Sequence, residues 1–287
     1  MDWSEWKRLS PSIIFTAADL KETLDGGQAF RWRNDDGLWQ GIWGPHLAQV
    51  RLEPNGRLSG RALKKHSEQT IVALESYLGA DTDWNHRRDC LPHRNDSHLH
   101  GCIQNFATLR LLSQPFGETL LAFLCSATKQ IPQIKVMCEN LANTLGSEII
   151  SGIHALPSWI QVASASEENL RSLSLGFRAK NIKRTADVIA KNPNLLFQIE
   201  NAPYPEAKEQ LMALPGVGSK IADCALLFGA GKLEAFPVDT WIIKAMEKRY
   251  NLNGWKPQQI EHFGRVHFGP LAGYAQQFLF SWERINR

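Results

Sequence analysis

The chain has 287 residues, 43% hydrophobic and 21% charged, with 32 Lys and Arg against 29 Asp and Glu and a formal net charge of +3. This composition excludes a disordered or collagen-like chain, and no apolar run nears the ~18 residues that cross a bilayer. The length suits two ordinary domains, and the scattered Cys90, Cys102, Cys125, Cys138 and Cys224 argue for a reducing compartment rather than a disulfide framework.

The acidic, aromatic opening from Met1 to Trp6 leads into no secretory apolar stretch, so a soluble intracellular protein is expected. The first third reads as β structure. Phe30 and Trp32 alternate with Arg31 and Arg33, and Asn34-Asp35-Asp36-Gly37 supplies a turn. Trp39, Gly41 and Trp43 follow on alternate positions until Gly44-Pro45, and a strand from Leu47 to Leu52 closes at Pro54-Asn55-Gly56. Short strands joined by tight turns predict an antiparallel sheet with one buried face, which a helix over 68–78 (Ile71, Val72, Leu74, Leu78) would cover.

Cys90, His93, His98, His100 and Cys102 have the chemistry of zinc ligands, but their spacing fits no tetrahedral pattern. Surface histidines in a linker are expected, and no metal site. From about Glu118 the apolar period becomes helical. Leu120, Leu121, Phe123 and Leu124 form one stripe and Ile131, Ile134, Met137, Leu141 and Leu145 another, around the polar break Ser126-Ala127-Thr128-Lys129-Gln130. Ser164 and Glu167 predict a capping box for a helix through Leu173, and Ile182, Ala186 and Ile189 predict the next helix, ending near Asn192-Pro193. The expected architecture is α+β, with an antiparallel sheet domain over 1–112 and an all-α domain over 113–287.

The chemistry concentrates in Leu214-Pro215-Gly216-Val217-Gly218-Ser219-Lys220 and onward to Cys224, followed by Pro237-Val238-Asp239. A two-glycine hairpin between amphipathic helices leaves backbone N–H groups uncovered at a helix N-terminus, a site suited to a DNA phosphate. Lys220 falls in the first turn of the second helix, where a cation is disfavoured, so its pKa should fall. That favours the neutral amine, the form able to build a Schiff base at a sugar C1′. A solvated lysine touching a phosphate is the plainer reading of the same spacing. Asp239 opens a helix and suits an N-cap, and a carboxylate held that way can also stabilise an oxocarbenium-like sugar. Arg171, Arg178, Lys180, Lys183 and Arg184 form either a solvated helix face or a stripe tracking phosphates.

The hairpin segment resembles the helix-hairpin-helix glycosylase superfamily, and most closely the 8-oxoguanine DNA glycosylases. Gly27-Gln28-Ala29-Phe30-Arg31-Trp32, Leu175-Gly176-Phe177-Arg178-Ala179 and Ala272-Gly273-Tyr274-Ala275-Gln276 with Leu279-Phe280-Ser281 are similar to three more blocks of that family, in order. The resemblance implies a TATA-binding-protein-like N-terminal sheet and a bifunctional DNA glycosylase/AP lyase of base excision repair. Lys220 would be its nucleophile and Asp239 its carboxylate. It implies that the Gly27 carbonyl accepts the N7 hydrogen of oxidised guanine, that Gln276 reads the Watson–Crick edge, and that Cys224 and Phe280 flank the flipped base. DNA contacts would come from Gly216, Val217, Gly218, Arg178, Thr128, Lys129 and Gln130.

Three positions depart from the family pattern. Thr128-Lys129-Gln130 stands where the family has an asparagine-rich wedge, Gln133 replaces an arginine and Trp241 a histidine. Relaxed selectivity for the opposite cytosine is therefore expected. No cysteine follows Cys224, so the iron–sulfur cluster of some relatives has no ligands here. The resemblance implies no required cofactor beyond a monovalent cation on hairpin carbonyls. The partner would be double-stranded DNA containing oxidised guanine, with no membrane. A monomer is expected, in the cytoplasmic nucleoid of a bacterium or the nucleus of a eukaryote. The rival readings are a monofunctional glycosylase for alkylated purines, which would lack Lys220, and a non-catalytic helix-hairpin-helix DNA-binding protein.

Overall fold

Strands β1 (Lys7–Arg8), β2 (Trp32–Asp35), β3 (Leu38–Trp43), β4 (His46–Leu52) and β5 (Leu58–Ala62) form an antiparallel sheet in the order β1-β5-β4-β3-β2, in a computed structural model that describes residues 1–286. Asp36 and Gly37, both at positive φ, make the two-residue turn whose twist matches the β2–β3 hairpin. The predicted first strand starts two residues late. Phe30 leaves the sheet to meet Phe123 edge-on at 5.3 Å, inside the other core. α1 (Ala17–Asp25), capped by Thr16, precedes the sheet, and α2 (Ser67–Tyr77) covers its buried face. There Trp32 stacks on Trp43 and donates from Nε1 to the Tyr77 hydroxyl at 3.1 Å.

The remaining helices are α3 (Trp84–Asp89), α4 (Ser97–Asn105), α5 (Phe116–Cys125), α6 (Ile131–Leu145), α7 (Trp159–Ser164), α8 (Glu167–Leu170), α9 (Arg178–Lys191), α10 (Leu195–Asn201), α11 (Tyr204–Met212), α12 (Ser219–Phe228), α13 (Thr240–Tyr250), α14 (Pro257–Phe268) and α15 (Ala272–Ile285). A short hairpin of β6 (Glu148–Ile150) and β7 (Ile153–His154) interrupts them. Two apolar cores result, one under the sheet and one among the helices. The helical core reaches back to Trp84, Leu99 and Cys102, so α3 and α4 pack with the helices. The capping box predicted at Ser164 and Glu167 is corrected. Ser164 is still helical and ends α7, and the chain turns extended at Ala165 and Ser166, so Ser166 caps α8 through its hydroxyl. The helix does not continue through Leu173, since Leu173 and Ser174 leave helical geometry.

α12 is buried from Ile221 through Phe228 and packs against α5 and α11. A helix apolar on every side belongs at the centre of a domain. Its N-terminal tip is the part that reaches the surface, at Ser219 and Lys220.

Candidate active site

The hairpin before α12 is fixed at three points. The Val217 N–H donates to the Leu214 carbonyl at 3.1 Å, and the Thr185 hydroxyl donates to the Pro215 carbonyl at 2.8 Å. Gly216 has φ +80°, and a Cβ there would come 2.7 Å from the Asn181 Cβ, so the turn admits only glycine. Gly218 is the N-cap of α12 and offers no side chain to its first turn. Gly216 and Gly218 leave exposed backbone at the N-terminus of α12, an arrangement whose N–H groups and dipole favour an anion. Val217 differs from expectation, because its side chain is buried and its N–H is used inside the turn.

A buried polar network holds α12 in place. Asp223 accepts from the Tyr204 hydroxyl at 2.8 Å and from Lys208 Nζ at 2.9 Å. Lys208 also reaches Glu261 at 2.5 Å, and Glu261 accepts from the Ser219 hydroxyl at 2.6 Å. Burial lifts the Asp223 carboxyl to about 6, against the pull of Lys208. Sequence reasoning assigned none of these residues a role. The one available signal was a charged residue, Asp223, within the otherwise apolar run from Ile221 to Phe228 of α12.

Lys220 leaves the first turn of α12 toward the end of α5. Its Nζ donates to the Ser126 hydroxyl at 3.1 Å and lies 5.3 Å above the Phe123 ring. Asp239 is the N-cap of α13, with Oδ1 accepting from the Trp241 N–H at 3.0 Å and the Ile242 N–H at 2.9 Å. Burial raises its carboxyl above the ordinary range, while the Ile242 N–H and the Lys220 charge oppose the shift. The amine and the carboxylate thus sense each other across the site without forming the amine's hydrogen bond. Cys224, four residues after Lys220, is buried, and burial pushes its thiol up to about 12. It is a neutral packing surface and no rival nucleophile.

Gly27, Phe280 and Ile131 converge on one another. Gly27 has φ +111°, and a Cβ on it would stand 3.1 Å from Ile131 Cδ1 and 3.6 Å from Phe280 Cζ. Gln28 clamps the segment by donating to the Arg110 carbonyl at 2.8 Å and accepting from the Leu112 N–H at 3.0 Å. An Arg284–Glu22 ion pair ties α15 to α1, which leads into Gly27. Gln276 donates from Nε2 to the Pro237 carbonyl at 3.1 Å, which fixes the amide's orientation. Its buried Oε1 has no partner among the described residues. A buried orphan acceptor is costly unless a ligand supplies the missing donor.

The loop from Ser126 to Gln130 faces the hairpin. Thr128 has φ +55°, a strained value for a β-branched residue. Thr128, Lys129 and Gln130 are exposed. Arg178 does not stand free as a DNA contact. It is 4% exposed and donates to the Ala127 and Leu175 carbonyls and the Thr128 hydroxyl, so it holds the loop from beneath. Gln133 is likewise committed, accepting from the Gln130 N–H at 3.2 Å as part of the cap of α6. Phe177, which sequence reasoning left without a role, is 60% exposed and lies 4.3 Å from the Arg178 guanidinium. Lys244 Nζ sits 4.6 Å over the half-buried Trp241.

The basic stripe shrinks once side chains are placed. Arg171 pairs with Glu167 and Lys183 with Asp187, leaving Lys180 and Arg184 exposed. The cysteine–histidine cluster separates into pairs: Cys90 with His86, His93 with His100, and the buried Cys102 with His98. Among the described residues no group of three could hold a metal ion, and no helix is long and apolar enough to cross a membrane.

Residues 12–120 match the family described as the N-terminal domain of 8-oxoguanine DNA glycosylase, and residues 121–268 match the HhH-GPD superfamily of base excision DNA repair proteins. The chain is 31% identical over 294 residues to the N-glycosylase/DNA lyase OGG1 of Arabidopsis thaliana, covering 94% of this chain and 79% of that one. It is 28% identical over 316 residues to an N-glycosylase/DNA lyase of Saccharomyces cerevisiae, covering 92% and 83%. The crystal structure of the Clostridium acetobutylicum 8-oxoguanine glycosylase/lyase, bound to double-stranded DNA containing cytosine opposite to 8-oxoG, aligns with a TM-score of 0.88 at 29% identity, over 100% of this chain and 99% of that one.

Proposed function

Because the chain belongs to the 8-oxoguanine DNA glycosylase family within the HhH-GPD superfamily, we propose that it is a bifunctional N-glycosylase/DNA lyase of base excision repair acting on oxidised purine in duplex DNA. The observation that carries this reading is Lys220 Nζ held 3.1 Å from the Ser126 hydroxyl at the tip of α12, with the capping carboxylate of Asp239 sensing its charge.

The C1′–N9 bond is out of reach inside a stacked duplex, so the damaged nucleotide must flip. The free amine of Lys220 forms a bond to C1′ as the C1′–N9 bond breaks, and the electron pair leaves with the base, which takes up a proton. Ionised Asp239 stabilises the positive charge that builds on the sugar. The amine then loses a proton and the ring opens to an imine. Loss of a C2′ proton from the imine expels the 3′ phosphate by β-elimination.

Recognition in this reading falls to the Gly27 carbonyl at the base's N7 hydrogen and to Gln276 Oε1, whose missing donor is an N–H of the Watson–Crick edge. Cys224 and Phe280 flank the ring. Phosphates rest on the hairpin at Gly216 and Gly218, and exposed Phe177 stacks where the base has left. Gln133 caps a helix instead of reaching the opposite strand, which supports relaxed selectivity toward the opposite base. A monovalent cation on the hairpin carbonyls is compatible with their second lone pairs and would neutralise charge there. The chain would act as a monomer in the compartment that holds the genome.

The test is borohydride trapping on duplexes carrying 8-oxoguanine. The expected result is a covalent protein–DNA adduct that Lys220→Gln abolishes. Base release without any adduct would instead indicate monofunctional hydrolysis, and duplex binding without release would leave only a DNA-gripping scaffold.

A further inference from the structure

A cavity of about 650 Å³ lies at the start of α5, at the other end of that helix from Ser126 and Lys220. None of the residues assigned above to catalysis, base recognition or DNA contact lines it. Both halves of the chain build it, from the Gly44-Pro45 turn and His66 on one side to Gly117, Glu118 and Trp159 on the other. Its volume is that of a small-molecule site at a domain junction.

The walls are mainly apolar, with Leu47, Leu63, Leu156 and Trp159 among them. Trp159 comes in close because residue 117 has no side chain, since a Cβ there would stand 3.2 Å from its Nε1. The charged side chains lining the cavity are Glu118 and Glu148, with His66 the one further titratable group and no lysine or arginine. Glu118 Oε1 accepts from the Gly44 N–H at 2.9 Å, and its other oxygen takes no hydrogen bond from the described residues. The nearest fixed positive charge, Arg31, is committed elsewhere. It donates to the Cys138 and His154 carbonyls and pairs with Glu139 at 3.6 Å.

We propose that this cavity is a second ligand site, for a small organic cation with a flat apolar body, an aryl amidine or arylamine in class. The ring lies against Trp159 and the cationic N–H donates to the free oxygen of Glu118. An anion is disfavoured by the two carboxylates, and a neutral apolar ligand would leave the Glu118 acceptor unmatched. The site stands independently of the catalytic reading.

Burial lifts the Glu118 carboxyl to about 6, opposed by the Gly44 N–H and by Arg31. Tyr77 is held neutral by burial, burial lowers the His46 pKa, and Glu148 and His66 sit toward solvent. Binding of a cation therefore weakens as pH falls and Glu118 takes up a proton.

Calorimetric titration of the full chain with benzamidine, compared with its uncharged isostere benzamide, tests the proposal. Benzamidine should bind with Kd of about 1 mM or tighter at about pH 8, and about tenfold more weakly at about pH 5. Glu118→Gln should remove that binding while leaving lesion excision unchanged, and Leu63→Trp should remove it by filling the space. Failure of benzamidine to bind, equal affinity at both pH values, equal affinity for benzamide, or displacement of benzamidine by lesion-bearing duplex would each overturn the proposal.

Discussion

Two loops meet at Lys220, and they are held by opposite means. The hairpin from Leu214 to Gly218 is shaped by its own backbone, by one glycine with no room for a Cβ, and by the Thr185 hydroxyl beneath it. The loop from Ser126 to Gln130 is shaped by a neighbour, Arg178, and by a threonine forced to positive φ. On the first side, side chains are spared for chemistry. On the second, Arg178 and Gln133 spend their polar groups on keeping the loop and α6 in place. The hairpin side keeps the motif residues of the family, whereas on the other side the polar groups of Arg178 serve the fold.

The sharpest test of that contrast is Lys220→Gln, expected to abolish trapping and slow excision by about 1000-fold or more, because it removes the nucleophile itself. Asp239→Asn comes next. Asparagine caps a helix about as well as aspartate, so the melting temperature should hold while excision falls about 100-fold. Since burial raises the Asp239 carboxyl, wild-type excision should decline on the acid side as that group is protonated. The pH profile of Asp239→Asn should lack this limb.

On the other loop, initial rates with 8-oxoguanine opposite each of the four bases should fall within about tenfold of one another. Gln133→Arg should shift them toward cytosine by about tenfold more, at a cost of about 0.5–1 kcal/mol from the weakened cap. A strong cytosine preference in the wild type would show that the loop still reads the opposite strand. The smallest effect is at Thr128. Thr128→Asn should stabilise the fold by about 1 kcal/mol in urea titration, because asparagine tolerates positive φ better than a β-branched residue.

Much of the local geometry around Lys220 and Asp239 was legible in the residues alone. Asp239 as an N-cap, Lys220 in the first turn and the two-glycine hairpin follow from local rules that act over a few residues of chain. What was missed lies between elements far apart in sequence. The Lys208–Asp223–Glu261 network joins three helices, and Gln28 reaches across to Arg110 and Leu112. Ser164 was a sound capping residue by type and lost to Ser166 because the chain turns extended only at the latter.

The amino-acid order by itself determined the strand and helix periods, the tight turns and the caps, because each depends on torsions and neighbours within one or two turns. It also carried the motif blocks that name the family. Tertiary structure alone decided whether the polar groups of residues far apart in sequence are spent on one another. Arg178 looks available along the chain, but packing had already given its donors to the Ala127 carbonyl and the Thr128 hydroxyl, some fifty residues away in sequence. The same packing left Gln276 Oε1 and one oxygen of Glu118 without partners among the described residues. Whether a hydrogen-bonding group is spent or spare depends on what folds against it, and no local pattern records that.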